Sequence, residues 1–336
     1  MFRVAGILAA SLIGLMAATA ASAEEPIVLK FGSTAPTRAH LNVQVYAPWS
    51  ERVTKASQGT LKIDFIPGSV LGGDGQMVER VKSGVADIGF DLQAYYPGKY
   101  PLTEIVSLPF LFTKSSQASV ALWRLVKKGV IREYDDVVPI NIFTFTNSFP
   151  MMRTDAKSLA DLKGMKLAAG GKLRSQVVEA LGATPVSILI NETYQSLNRG
   201  VVDGAMAPWT AVQPFRLQEV AKRYFDVPLG ALAGFVFMNK QKFDSLPEKA
   251  KKAIMDNSGE PFVADFGKFW DRIEDEGREI VRKSGKGTII VPQGAELETW
   301  RKAVEPVVAK WEKDTPHGAE ALKAFRAEME QLSKSN

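Results

Sequence analysis

The sequence contains no cysteine and only two histidines, His40 and His317, in 336 residues. Without a thiol it forms no disulfide, no thiolate zinc site, no iron–sulfur cluster and no lipid anchor on cysteine. Two imidazoles cannot build a multi-histidine metal centre, so neither a metal nor a cofactor is expected. Charge of one sign is equally scarce. The 42 Lys and Arg are interspersed with 37 Asp and Glu, for a net charge of +5, which is no footprint of a nucleic-acid-binding surface. After the first twenty-odd residues there is no apolar run long enough to cross a bilayer. What is there is ordinary: 46% hydrophobic residues, the composition of a soluble globular protein, and a length that implies two compact domains.

The N-terminus reads Met1-Phe2-Arg3, an apolar stretch from Val4 to Ala21, then Ala21-Ser22-Ala23 before Glu24-Glu25. A basic start, an apolar middle and small residues at the minus-three and minus-one positions predict an export signal at residues 1–23, cleaved after Ala23. The competing reading is a single membrane anchor, since the run is just long enough to span. Cleavage leaves 313 residues with a net charge of +4. A core of that size needs no disulfide staples.

Beyond the leader, strand and helix patterns alternate. Ile27–Ser33 and Leu61–Pro67 read as strands around a helix from about His40 to Lys55. A helix at Met77–Val81 precedes a third strand at Ala86–Phe90. The alternation resumes with strands at Val138–Phe145, Met165–Ala168, Pro185–Ile190, Val202–Ala207 and Gly234–Asn239, and predicts parallel α/β sheets. After Lys240 the pattern is almost entirely helical. Phe262, Phe266, Phe269, Trp270 and Ile273 lie on one stripe of a long helix that docks on the core and braces two lobes. The expected fold is α/β, two-lobed and periplasmic-binding-protein-like, with a cleft between the lobes. Lobe I is expected at residues 24–147 plus about 236–262. Lobe II is expected at 148–235 plus about 263–336, with the C-terminal helices.

Catalytic motifs are missing. There is no Gly-x-Ser-x-Gly elbow, no Ser-x-x-Lys and no His-Glu-x-x-His, and Gly72-Gly73-Asp74-Gly75 lacks the lysine of a phosphate loop. Asp135-Asp136 lacks the periodic acids of a calcium loop and reads as a solvated turn. The chain is not expected to be an enzyme. Candidate ligand contacts instead lie where strands end: Gly32–Pro36, Phe90–Tyr96, Ala168–Arg174 and Ala205–Trp209. Gly170-Gly171-Lys172-Leu173-Arg174 feeds a strand into a helix, where free backbone N–H groups favour an anion and a guanidinium can grip a carboxylate. Both cations can equally be solvated residues of a first helical turn. Thr34, Gln93 and Tyr95 from one lobe and Trp209 from the other are the remaining candidates, the aromatics as pocket walls with polar handles.

Read together, several stretches resemble the solute-binding proteins of TRAP transporters, the DctP family. They are Leu29-Lys30-Phe31-Gly32, Pro67-Gly68-Ser69-Val70-Leu71-Gly72, Val81–Ile88 and Leu108-Pro109-Phe110-Leu111-Phe112. Further on come Asp161–Leu167, Ala180–Val186, Tyr194-Gln195-Ser196-Leu197 and Gly200–Gly204. The resemblance covers essentially the whole chain after the leader. It implies a periplasmic, monomeric binding protein that closes on a small organic acid and hands it to a small and a large membrane subunit. Two positions depart from the family pattern. Ala168 stands where the substrate arginine is usual, and Ala207 where an asparagine is usual, so Arg174 or Lys172 has to replace the clamp. Fewer polar groups and more aromatics point to an aromatic or otherwise apolar monocarboxylate. A ligand-presenting receptor for a sensor kinase and a secreted enzyme acting on a small acid are the alternatives.

Overall fold

The computed structural model describes residues 25–334, so the expected export signal at residues 1–23 lies outside the described residues. The first strands are β1 (Ile27–Ser33), β2 (Leu61–Pro67), β3 (Ile88–Leu92) and β4 (Val137–Thr144). Next come β5 (Ser148–Met152), β6 (Lys166–Ala168), β7 (Thr184–Val186), β8 (Gly204–Pro208) and β9 (Arg223–Phe225). Finally β10 (Ala233–Asn239) returns to the first sheet and β11 (Thr288–Ile290) to the second.

The two sheets have the orders β2-β1-β3-β10-β4 and β11-β9-β5-β8-β6-β7. Where strand and helix alternate, pairing is parallel as expected: β1 with β2 and β3, and β6 with β7 and β8. The expectation of parallel sheets fails at β10, which enters from the second sheet and runs antiparallel to both β3 and β4. Likewise β5 runs antiparallel to β8 and β9. Neither β5 nor β9 is visible as a sequence pattern. The run Ser-Phe-Pro-Met-Met of β5 is buried at every position, so it shows no alternation, and Pro150 interrupts it.

Two chain crossings between the sheets run side by side, with Phe145 N–H donating to Leu232 O at 2.9 Å and Ser148 N–H to Gly230 O at 2.8 Å. A third connection is the helix Glu260–Ser284. Its first half buries Phe266, Trp270 and Ile273 in the aromatic core of Phe31, Trp49 and Phe143. Its second half contributes Val281 to the core of Phe149, Trp209 and Tyr224. Full burial of side chains this large stabilises by roughly 1.5–3 kcal/mol each.

Close packing holds the helix at two points. A Cβ added to Gly267 would lie 2.4 Å from Ser116 Cα, and one added to Gly277 would lie 2.3 Å from Trp209 O. Between them the Asp271 carboxylate accepts from Ser115 N–H at 2.7 Å and from the Ser116 hydroxyl at 2.5 Å, capping the helix Ser115–Lys127. The expected bracing helix is therefore present, and each end is keyed to a different sheet.

Candidate functional site

A cavity of about 1180 Å³ opens between the two sheets. All four strand-end segments reach it, through Thr34, Tyr95, Arg174 and Pro208 among others. The cavity is partly enclosed and largely apolar, with Leu92, Phe145, Ile188, Met206, Phe215 and Trp270 on its walls. Among the described residues its lining carries Arg38, Lys172, Arg174 and Arg216 and one acid, Asp74. Arg216 is paired with Glu219 off the lining and Lys172 lies in the field of Glu104 and Asp314, so the surplus positive charge rests on Arg38 and Arg174. Such a cleft concentrates anions.

The helix Lys172–Ala180 starts at this cavity. Gly171 precedes it with φ +91°, a conformation glycine adopts without strain, and no side chain caps the first turn. A Cβ on Gly171 would sit 3.8 Å from that of Ala94, so this turn also meets the opposite lobe beside Tyr95. Leu173 points into the core and Lys172 into solvent. Arg174 lies between them, half-buried, with Nη2 donating to Ser148 Oγ at 2.9 Å. Burial pulls its pKa down to about 10. Among the described residues no carboxylate forms an ion pair with it. The guanidinium therefore remains charged at neutral pH while its partner is a neutral hydroxyl, and most of its five N–H donors remain for a ligand.

Thr34, Tyr95, Lys172 and Arg174, all expected at the site, line the cavity. Gln93 and Trp209 do not, and that part of the expectation is corrected. Gln93 is 2% exposed, and its Oε1 accepts from Ala233 N–H at 3.3 Å, under the start of β10. Trp209 is fully buried, stacked on Tyr224 at 5.3 Å, with Nε1 donating to Asp226 Oδ1 at 2.9 Å. Both stand at strand ends, but their side chains turn into the protein. Tyr96 likewise points inward, donating to Asp91 Oδ2 at 2.6 Å.

The structure adds residues that sequence reasoning missed. Ser148 opens β5, the strand that proline conceals. Thr146 lies on the lining, and its buried hydroxyl has no hydrogen-bond partner. Trp270, read as core, is 4% exposed yet also borders the cavity, and its indole N–H is equally unpaired. Across from Arg174, burial raises the Asp74 pKa, partly offset by a hydrogen bond from Thr34. Burial raises the Tyr95 phenol as well, aided by the negative charges of Asp74 and Asp91 and opposed by Arg174. Behind the wall, burial pushes Asp91 up to about 6, against hydrogen bonds from Tyr96, Leu92 and Gly75. Among the described residues no group of three or more metal-ligating side chains comes together, and no helix is long and apolar enough to cross a membrane.

Residues 31–314 match the family model of the bacterial extracellular solute-binding proteins, family 7, designated DctP. The chain belongs to this family. The outer membrane transporter protein TsaT of Comamonas testosteroni is 28% identical over 84% of this chain and 86% of its own. A TRAP solute-binding protein of an unidentified marine microbe, specific for aromatic acid ligands and solved with 3-hydroxybenzoate, shares 30% identity. It superposes with a TM-score of 0.86, covering 91% of this chain and 99% of its own. One from Bordetella bronchiseptica, solved with (R)- and (S)-mandelate, has 25% identity and a TM-score of 0.81, covering 91% and 100%. The two-lobed α/β architecture is thus that of TRAP solute-binding proteins, and the chain is a solute-binding component of transport.

Proposed function

We propose that this chain captures a small aromatic or apolar monocarboxylate in the cleft, with Arg174 as the anchor, and delivers it to the small and large membrane subunits of a TRAP transporter. The observation that carries the reading is the Arg174 guanidinium. It is half-buried beside apolar walls and held by the Ser148 hydroxyl alone, with no acid to neutralise it. A carboxylate would form charge-assisted hydrogen bonds there. The walls match the non-polar remainder of an aromatic acid, and a relative of similar fold is specific for such ligands. Lys172 supports the anion from solvent, and Thr34 and Tyr95 complete the site from the other lobe. Gln93 and Trp209 act behind it, by holding β10 and the second core.

The cavity exceeds the usual range of roughly 300–1000 Å³ for an enclosed small-molecule pocket. A benzoate-sized acid therefore bridges both walls only when the lobes approach, so binding favours the closed state. Lobe I is residues 24–147 plus about 236–262, and lobe II is residues 148–235 plus about 263–336. β1–β4 on one side and β5–β9 with β11 on the other support that division in outline, while β10 (Ala233–Asn239), a strand of the first sheet, straddles the boundary at 235. The chain works as an exported, periplasmic monomer, with residues 1–23 as the leader, and carries out no catalytic step. Titration calorimetry against a panel of acids tests the ligand class. Benzoate, 3-hydroxybenzoate or mandelate should bind, and galacturonate and succinate should not. Tight binding of a sugar acid with none of the aromatics would overturn it.

A further inference from the structure

We infer that Asp74 reads the far end of the ligand, accepting a hydrogen bond from a ring hydroxyl and repelling a second carboxylate, so that hydroxylated aromatic monocarboxylates are selected over dicarboxylates. This rests on the organic-acid reading of the cleft. Among the described residues Asp74 is the one acid on a lining that carries four Lys and Arg.

Its position follows from the loop Gly72–Gly75. The Gly75 N–H donates to Asp91 Oδ2 at 3.0 Å, and a Cβ on Gly75 would lie 2.9 Å from the Tyr95 carbonyl oxygen. The loop is thereby seated on the backbone of Tyr95. From the opposite side, Gly171 and the turn bearing Arg174 approach Ala94, the residue before Tyr95. The Tyr95 phenol accordingly feels the negative charge of Asp74 and the positive charge of Arg174. The loop bearing Asp74 and the turn bearing Arg174 thus both meet the chain at Ala94–Tyr95, and all three side chains line the same cavity. A ligand whose carboxylate engages Arg174 and whose ring follows Tyr95 brings its far edge to Asp74. Asp74 is exposed and lies beside Thr34, and an ionised carboxylate accepts about four hydrogen bonds, so capacity for a ligand donor remains.

The test is calorimetry on the purified protein, as wild type, Asp74→Asn and Asp74→Ala, with benzoate, 3-hydroxybenzoate and benzene-1,3-dicarboxylate. The wild type should prefer 3-hydroxybenzoate to benzoate by about tenfold, the value of a hydrogen bond to a charged group, and should reject the dicarboxylate. Asp74→Ala should erase the preference, bind benzoate more tightly and admit the dicarboxylate. Asp74→Asn, nearly isosteric on an exposed loop, should keep part of the preference and also admit the dicarboxylate. A hydroxyl preference unchanged by either variant, or a wild type that shows none, overturns the role of Asp74 and leaves the cleft reading intact. A wild type that binds neither monocarboxylate overturns the ligand class and this inference together.

Discussion

Arg278 and Arg174 are both partly buried, and both extend from helices beside the second sheet, but their surroundings are opposite. Arg278 is saturated: Nε donates to Asp226 Oδ2 at 3.0 Å, Nη2 to Glu274 Oε1 at 2.8 Å and Nη1 to Asp275 Oδ1 at 3.0 Å. Its guanidinium also lies 5.7 Å from the Trp209 ring centroid. Burial works against its charge, yet Asp226 and Glu274 outweigh it and hold the pKa above its usual value. Arg174 has one neutral partner and is pulled down. A structural arginine is neutralised by its own chain. One whose acid is missing from the chain is left to find it in a ligand.

The largest effect that could break this contrast is Arg278→Ala. It leaves Asp226 and Glu274 facing each other without a cation and should cost about 3–4 kcal/mol of stability, read by urea denaturation. Intact stability with lost ligand binding would reverse the assignment of the two arginines. Arg174→Ala should do the opposite, weakening ligand affinity by about 1.5–3 kcal/mol in calorimetry. Its stability should stay within about 1 kcal/mol of wild type, since no buried acid is orphaned. Unchanged affinity would remove Arg174 as the anchor.

Glu274 sharpens the comparison through pH. Burial pushes its carboxyl up to about 7, opposed by Arg278 and aided by Asp226 and Asp271. A carboxyl raised on folding contributes stability that is complete below its unfolded pKa, about 4.5, and is lost as pH rises through about 7. Glu274→Gln should therefore be more stable than wild type at pH 8 by about 3 kcal/mol, with the gain fading toward pH 4.5. Asp91, raised to about 6 from 3.8, keeps a smaller slope of the same sign in both proteins. Denaturation midpoints with the same pH slope in both would refute the argument. The mildest test is Ser148→Ala, which frees Arg174 from its hydroxyl. Affinity should fall by about 0.5–1.5 kcal/mol, as a threefold to tenfold change in Kd.

The alternation of strand and helix, the two sheets and the docking stripe of the long helix were legible as periodicity, because each needs only local spacing. The glycine-rich turn before Arg174 was legible for the same reason. What escaped depends on contacts distant in sequence. β5 carries Ser148 but is buried on both faces and broken by Pro150, so no pattern marks it. Trp209 and Gln93 stand at strand ends that local pattern marks, but their side chains turn inward, a direction that spacing along the chain does not fix. Asp226, which turns the Trp209 indole inward, lies seventeen residues away, and Arg278 another fifty-two. The orphaned hydroxyl of Thr146 and the indole of Trp270 become visible only when their neighbours are counted.

The two glycine contacts on the long helix set where mechanical compliance can reside. At Gly267 the helix touches Ser116 and at Gly277 it touches Trp209, with no slack for sliding at either. Ten residues, about 15 Å of helix, separate these clamps. Because Asp271 is also held by Ser115 and Ser116, a rotation that keeps both clamps bends the helix chiefly between Asp271 and Gly277, like flexure in a leaf spring, and that stretch carries Glu274 beside Arg278.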